Sequence, residues 1–256
     1  MRQLLPTHRE DIDAYDLYRP ADPAARMLRL DMVTSVDGCA ADEHGGTAGL
    51  GGSGDAEVFR ALRALSDGIL VGAGTVRQEG YGPHRVSPRL AARRRDDGRD
   101  GPAAVVVVSR SLDLDLEAPM FSAAVTPTVV LTCQASPRPR RRDAERAGRV
   151  VVAGADLVDL GEGLRRLRDE LGLAHLVCEG GPTLNGQLLS GGHVDELCVT
   201  LTSALLGAVG PPMARGLAGR LPLELTGLAE QDGDLFARYR LQNRRSSAES
   251  APRSSS

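Results

Sequence analysis

The chain has 256 residues, 41% of them hydrophobic and 25% charged, an ordinary globular composition that suits one large domain or two. Its 31 basic residues are offset by 34 acidic ones, for a formal net charge of -3, which argues against nucleic-acid binding by bulk counterion release. No lysine occurs, so lysine Schiff-base chemistry and a Walker A phosphate loop are both excluded.

The stretch 1–26 reads as a polar leader broken by Pro6, Pro20 and Pro23; it lacks the apolar core of a secretory signal. Alternation in Met27-Leu-Arg-Leu-Asp-Met-Val-Thr34 predicts a strand with one apolar face, running into Ser35-Val-Asp-Gly38. Glycines 45, 46, 49, 51, 52 and 54 predict a loop, and Val58, Phe59, Leu62 and Leu65 recur at helical spacing. Ile69-Leu-Val71 predicts a second strand that enters Gly72-Ala-Gly-Thr75, and Thr75-Val-Arg-Gln78 fits a capping box opening the next helix. The arginine- and aspartate-rich segment 84–102, centred on Arg93-Arg-Arg-Asp-Asp97, predicts a solvated excursion.

Valine-rich runs at 104–108, 128–132 and 150–153 predict strands buried on both faces, with a polar helix at 141–147. Leu164, Leu167 and Leu171 mark a helix, His175-Leu-Val-Cys178 a strand, and Leu184, Leu188 and Leu189 another helix. This alternation predicts an α/β fold: a mostly parallel sheet with helices on both faces. Strand candidates at 194–202, 221–226 and 235–241 follow without strong helices between them and predict an antiparallel C-terminal edge. The serine-rich segment 244–256 predicts a disordered tail, leaving 27–243 as one domain. Cys39, Cys133, Cys178 and Cys198 have no C-x-x-C spacing and read as buried thiols in a reducing compartment, the cytoplasm; no metal site is expected. The apolar run 103–108 is far shorter than the about 20 residues that span a bilayer, so no membrane partner is expected.

Ligands of open α/β sheets lie beyond the carboxyl ends of the strands, and three strand ends here carry suitable residues. Gly72, Gly74 and Thr75 offer free N–H groups to a phosphate at a helix N-terminus, with Thr75 as a mere helix cap the alternative. Glu179-Gly180-Gly181-Pro182-Thr183 repeats the arrangement, with proline at the first helical position. Ser109-Arg110-Ser111 offers two hydroxyls and a planar cation, suited either to the 2′-phosphate that separates NADPH from NADH or to a polar turn. His8-Arg-Glu10 matches half of a zinc deaminase signature whose C-x-x-C half is missing. Gly72-x-Gly74 continues to Arg77, so the dinucleotide fingerprint fails.

Ser35-Val-Asp-Gly38, Gly72-Ala-Gly-Thr75, Glu179-Gly-Gly-Pro182 with Leu184 and Asn185, and Val194-Asp-Glu-Leu197 resemble, in order, the reductase domain of riboflavin biosynthesis. The resemblance implies a dihydrofolate reductase-like fold, a homodimer, and a reductase standing without the deaminase domain to which it is often fused. It implies NADPH-dependent reduction of 5-amino-6-(5-phosphoribosylamino)uracil, or its 2,5-diamino analogue, to the ribitylamino product. By the same resemblance Val33, Gly49, Thr75 and Glu79 meet the cofactor, 181–187 wraps the dinucleotide, and Glu179 faces the substrate. Thr47, Arg63, Pro83 and Arg85 then line the sugar-phosphate pocket, Arg63 being the cation for the 5′-phosphate; the plainer alternatives are a solvated helix arginine for Arg63 and a helix-end carboxylate for Glu79. Two departures stand out. Cys39 occupies a position where the family often has lysine, and Gln78-Glu-Gly-Tyr-Gly-Pro83 replaces a common A-D-D-P-x-L-T stretch in the pocket wall.

The implied chemistry opens the sugar to an imine at C1′, which accepts hydride while a proton reaches nitrogen. Glu179 is the candidate for orienting substrate donors or transferring that proton, with Asp37 as substitute, although Asp-Gly after a strand is commonly a structural turn. Two rival readings are a dihydrofolate or pterin reductase of the same fold, and a protein that binds NADPH without turnover.

Overall fold

The structure, a computed structural model, describes residues 1–242 apart from 43–45, 48 and 208–209. The proposed tail 244–256, the last position of the 27–243 domain and Gly45 lie outside the described residues.

The supposed leader is structured. It forms β1 (Arg2–Leu5) and α1 (Ala14–Tyr18). Asp13 caps α1 by accepting from the Tyr15 N–H, as short oxygen-bearing side chains do at helix starts. Tyr15, Leu17 and Tyr18 are buried, which makes α1 part of the core. Next come β2 (Met27–Ser35), α2 (Ser53–Leu65), β3 (Gly68–Gly72) and α3 (Ala73–Glu79). Helix α3 starts three residues earlier than the capping box implied: Gly72 is its N-cap and Thr75 lies inside it.

The arginine-rich excursion is also corrected, because its centre is α4 (Pro88–Asp96), capped by Ser87. Arg94 is buried and donates to the carbonyls of Ala64, Ser66 (2.7 Å) and Gly101 (2.8 Å), so it closes the C-terminal end of α2, where carbonyls lack partners. Arg93 stacks 4.1 Å from the Tyr15 ring centroid and binds Asp13, and Arg99 bonds Asp67 and the Pro23 carbonyl. The run of charge therefore fastens α1 and α4 to the body of the protein.

The remaining elements are β4 (Ala104–Val108), α5 (Pro119–Ser122), β5 (Val129–Thr132), α6 (Arg138–Ala147), β6 (Arg149–Val152), α7 (Leu160–Leu171), β7 (His175–Cys178), α8 (Pro182–Ser190), β8 (Glu196–Thr202), β9 (Leu223–Gln231) and β10 (Asp234–Leu241). Among the described residues they build one ten-stranded sheet in the order β1-β9-β10-β8-β2-β7-β3-β4-β5-β6. Pairings from β8 through β6 are parallel, while β10 with β8, β9 with β10 and β1 with β9 are antiparallel. The α/β class with an antiparallel edge is thus observed, with β1 as its outermost member.

Both faces of the parallel part are covered, which explains its continuous apolar runs. Leu30, Leu70, Val106 and Leu131 pack with Leu164, Leu167 and Leu188 of α7 and α8. On the other face Ile69 and Val177 meet Val58, Leu62 and Leu65 of α2, and Val71, Val107 and Val130 meet Val76, Met120 and Ala144. Period-two alternation along β3, with Ile69 and Val71 on one face and Leu70 on the other, feeds both cores.

Candidate functional site

A cavity of about 350 Å³ opens at the carboxyl ends of β2, β7 and β3, the place where open α/β sheets take ligands. Strand β2 contributes Asp31, Met32 and Val33, and α2 contributes Asp55, Phe59 and Arg63. Thr75, the stretch Glu79 to Gly82, Thr47 and Glu179 complete the wall.

Arg63 sits in the last turn of α2 and reaches Glu179, the residue just after β7. Its Nε and Nη2 donate to the two oxygens of Glu179, each at 2.6 Å, a planar fork on a carboxylate that only arginine makes. The Tyr81 hydroxyl donates to Oε2 of the same carboxylate at 2.6 Å. Phe59 supports the guanidinium from below, 4.0 Å from its ring centroid. The Glu179 N–H donates to the Leu70 carbonyl at 3.0 Å, which ties this carboxylate to the neighbouring strand. The Glu179 side chain is 4% exposed and that of Arg63 19%. Burial alone would lower the Arg63 pKa, but the Glu179 charge and its hydrogen bonds outweigh it and hold the guanidinium above its ordinary value. Burial, then the Glu179 charge, pushes the Tyr81 phenol well above its usual range.

Among the described residues four carboxyl groups (Asp31, Asp55, Glu79 and Glu179) and one guanidinium line the cavity. Burial raises Asp31 well above the usual carboxylate range, with the charges of Asp55 and Glu179 adding to it and those of Arg63 and Arg29 opposing. Burial raises Asp55 as well, while the Thr200 hydroxyl beside it acts the other way.

Beside the cavity the starts of α3 and α8 lie next to each other. Their N-caps, Gly72 and Gly181, carry no side-chain cap, and the Gly72 N–H donates to the Gly180 carbonyl at 2.7 Å. A Cβ on Gly181 would come within 2.7 Å of the Thr75 hydroxyl, so this position tolerates no side chain. Two uncapped helix starts present N–H groups and the positive ends of two dipoles. That donor set fits the pyrophosphate of a dinucleotide.

The cavity thus gathers Val33, Thr47, Arg63, Thr75, Glu79 and Glu179, with Gly72, Gly74, Gly180, Gly181, Pro182 and Thr183 on the adjoining ledge. Other candidates sit elsewhere. Asp37 is held in a turn, accepting from the Ser35 hydroxyl at 2.6 Å and from the Leu206 N–H at 3.1 Å, and is not among the residues lining the cavity, a placement that matches the structural turn offered as its alternative. Asn185 is fully buried and donates to the Met213 carbonyl at 2.8 Å. Leu184 packs in the core; both shape α8 from inside. Ser109 is buried, its hydroxyl accepting from the Leu112 N–H, which removes it as a 2′-phosphate contact; Arg110 donates to the Asp156 carbonyl from an exposed position. Gly49 lies in a turn with φ +94°, and neither it nor Pro83 nor Arg85 lines the cavity.

Asp31, Asp55 and Tyr81 were not anticipated. A signal for Asp31 existed: Arg29 and Asp31 place charge at alternate positions of a central strand, where both faces are buried and a charge needs a reason. Arg29, fully buried, pairs with Glu196 at 2.6 Å; Asp31 faces the cavity.

The profile of the RibD C-terminal domain family matches residues 26–236. A 2,5-diamino-6-ribosylamino-4(3H)-pyrimidinone 5′-phosphate reductase from Methanothermobacter thermautotrophicus is 33% identical over 181 residues, 70% of this chain and 78% of the relative. The crystal structure of a pyrimidine reductase-like protein from Corynebacterium diphtheriae superposes with a TM-score of 0.76 at 27% identity, covering 90% of this chain and 99% of that one. RibD from Acinetobacter baumannii shares the fold, with a TM-score of 0.68 at 20% identity over 86% of this chain and 59% of its own. The chain therefore belongs to the RibD C-terminal domain family of reductases.

Proposed function

We propose that this protein reduces a 6-(5-phosphoribosylamino)pyrimidine, the 2,5-diamino compound or its 5-aminouracil counterpart, to the ribitylamino product in riboflavin biosynthesis, with NADPH as reductant. The observation that carries the reading is the pairing of a polar chamber with a glycine-rich ledge of two uncapped helix starts. The name carried by the Methanothermobacter relative supports the choice of substrate.

Gly74, Thr75, Gly181 and Thr183 would hold the dinucleotide phosphates through N–H groups, with Val33 and Glu79 at the cavity side. NADPH, when bound, supplies hydride. The residues of the chain do the rest. Arg63 uses two of its five N–H groups on Glu179 and presents the others to the sugar phosphate. Glu179, with Oε2 taken twice and Oε1 once, has room for one further donor and so orients the ligand through Oε1. Tyr81 and Phe59 close the chamber around the reacting carbon and keep water from it. The protein acts in the cytoplasm, as a homodimer.

The test follows NADPH absorbance with purified protein and the two pyrimidines, beside dihydrofolate as competitor. Oxidation with a pyrimidine alone is the expected result. Preference for dihydrofolate would move the assignment to a pterin reductase, a reading that the pairing of Arg63 with Glu179 favours in one respect: the pocket guanidinium is already neutralised. NADPH binding without oxidation of any of the three would leave a binding protein.

A further inference from the structure

We propose that Asp31 is the group that protonates the substrate nitrogen during reduction, acting from the cavity wall while Arg63 and Tyr81 keep Glu179 occupied. The inference rests on the reductase reading above and assigns its proton. Reduction of an imine needs a hydride at C1′ and a proton at nitrogen, and the cavity offers four carboxyl groups for the latter. Glu179 is unsuited, because its oxygens already accept two hydrogen bonds from the Arg63 guanidinium and one from the Tyr81 hydroxyl. Burial raises Asp55 as well, but less far than Asp31. Among the described residues nothing donates to the Asp31 carboxyl.

Burial and like charges around Asp31 favour a held proton, with the charges of Arg63 and Arg29 opposing them. Asp55 on α2 and Glu179 just after β7 add negative charge, and the nearby cations are already paired: Arg63 with Glu179, and Arg29, two residues back on β2, with Glu196. On the adjoining strand β8 the register partner is Cys198, a thiol that burial pushes well above its usual value. Tyr18 of α1 is a buried neutral phenol whose pKa burial raises as well. A carboxyl with no donor and like charges around it is stable as the acid. Such a group is a general acid positioned in the chamber itself.

The step balances as follows. With hydride supplied to C1′ by the reductant when bound, the π pair of the C=N bond would move to nitrogen, and the Asp31 O–H bond would break as nitrogen takes the proton. Asp31 is left as carboxylate and is reprotonated from solvent before the next turnover.

Asp31→Asn keeps the shape and removes the transferable proton. Turnover should fall about 100-fold or more, with NADPH affinity by fluorescence titration within about twofold of wild type, and the high-pH limb of the kcat/KM profile should vanish. Asp31→Glu should restore part of the turnover together with that limb. A second readout needs no substrate: the infrared carbonyl stretch of a protonated carboxylic acid should be present in the wild type at neutral pH, lost in Asp31→Asn and retained in Asp55→Asn. Wild-type protein that reduces the pyrimidine while Asp31→Asn keeps both turnover and the pH limb overturns the assignment and leaves the reductase reading standing. An infrared band absent from the wild type, or unaltered in Asp31→Asn, overturns it as well. Wild-type protein inert toward both pyrimidines overturns both readings together.

Discussion

Replacing Glu179 with alanine should destabilise the protein while leaving its fold intact. The carboxylate accepts two hydrogen bonds at 2.6 Å from Arg63 and a third from Tyr81, and its side chain is only 4% exposed. Removing one partner of a buried pair costs about 3–5 kcal/mol, because the other charge is left uncompensated. Arg63 is 19% exposed and stacks on Phe59, so water reaches it, which puts the expected loss at the low end, about 3 kcal/mol. For a chain of this size that is a fall of about 6–12 °C in Tm. Removing both charges, as Arg63→Met with Glu179→Met, should recover most of the loss, because no orphaned charge remains. Urea unfolding of the wild type, the two single variants and the double variant measures the coupling directly. A Glu179→Ala protein within about 0.5 kcal/mol of the wild type, inside the range of ordinary surface substitutions, would refute the claim that this pair is held against solvent.

Arg94→Met keeps the alkyl packing but removes the donors that close α2, leaving the carbonyls of Ala64 and Ser66 without their guanidinium. A loss of about 2–4 kcal/mol is expected, read as a lower urea midpoint at unchanged m value; an unshifted midpoint would return the arginine run to mere solubility. His175 is fully buried, and burial, followed by the charges of Arg29 and Arg99, lowers its pKa to about 2. The unfolded chain binds that proton first, near pH 6.5, so the stabilising contribution is complete above about pH 6.5 and is lost as pH falls toward about 2, at up to about 1.4 kcal/mol per pH unit. His175→Leu should flatten the acid side of the stability profile by that slope between about pH 6 and 4, and a profile parallel to wild type would show that His175 does not titrate on unfolding.

Patterns with a period were readable from sequence. The valine runs of β4, β5 and β6 and the leucine spacing of α7 repeat a local rule, and the strands emerge within a residue or two of expectation. Segments whose structure depends on distant partners were not readable. Residues 1–26 carry their apolar side chains in short pieces between prolines and charges, and only packing against α2 and pairing with β9 makes an element of each. In Arg93-Arg94-Arg95 the middle residue is buried because the end of α2 lies over it, and no local pattern separates it from its neighbours. At the site, glycine turns after strands located the ledge. The chamber was harder, because Tyr81 and Asp55 gain meaning only once α2 and the segment after α3 face each other across β7. Asp37 shows the opposite case: a conspicuous motif forms a turn beside the cavity's strand, with its carboxylate accepting from Leu206.

The order of strands also governs when the molecule can become whole. β3, β4, β5 and β6 are neighbours that follow one another along the chain, so that side of the sheet assembles from the ribosome outward as each strand emerges. The other side works in reverse. β2 finds its partners only in β7 and β8, and β1 waits for β9, with Arg2 opposite Glu230 and joined to it at 3.0 Å. The first strand made is therefore among the last to be placed. Until then the nascent chain carries an unpaired edge at β2, and such long-range closure is intrinsically slow and exposed to misassociation. The cavity proposed as the active site spans this seam, since Asp31 comes from β2 and Glu179 from just after β7, so activity should emerge only after β7 and α8 have left the ribosome, and late in the refolding of the full chain.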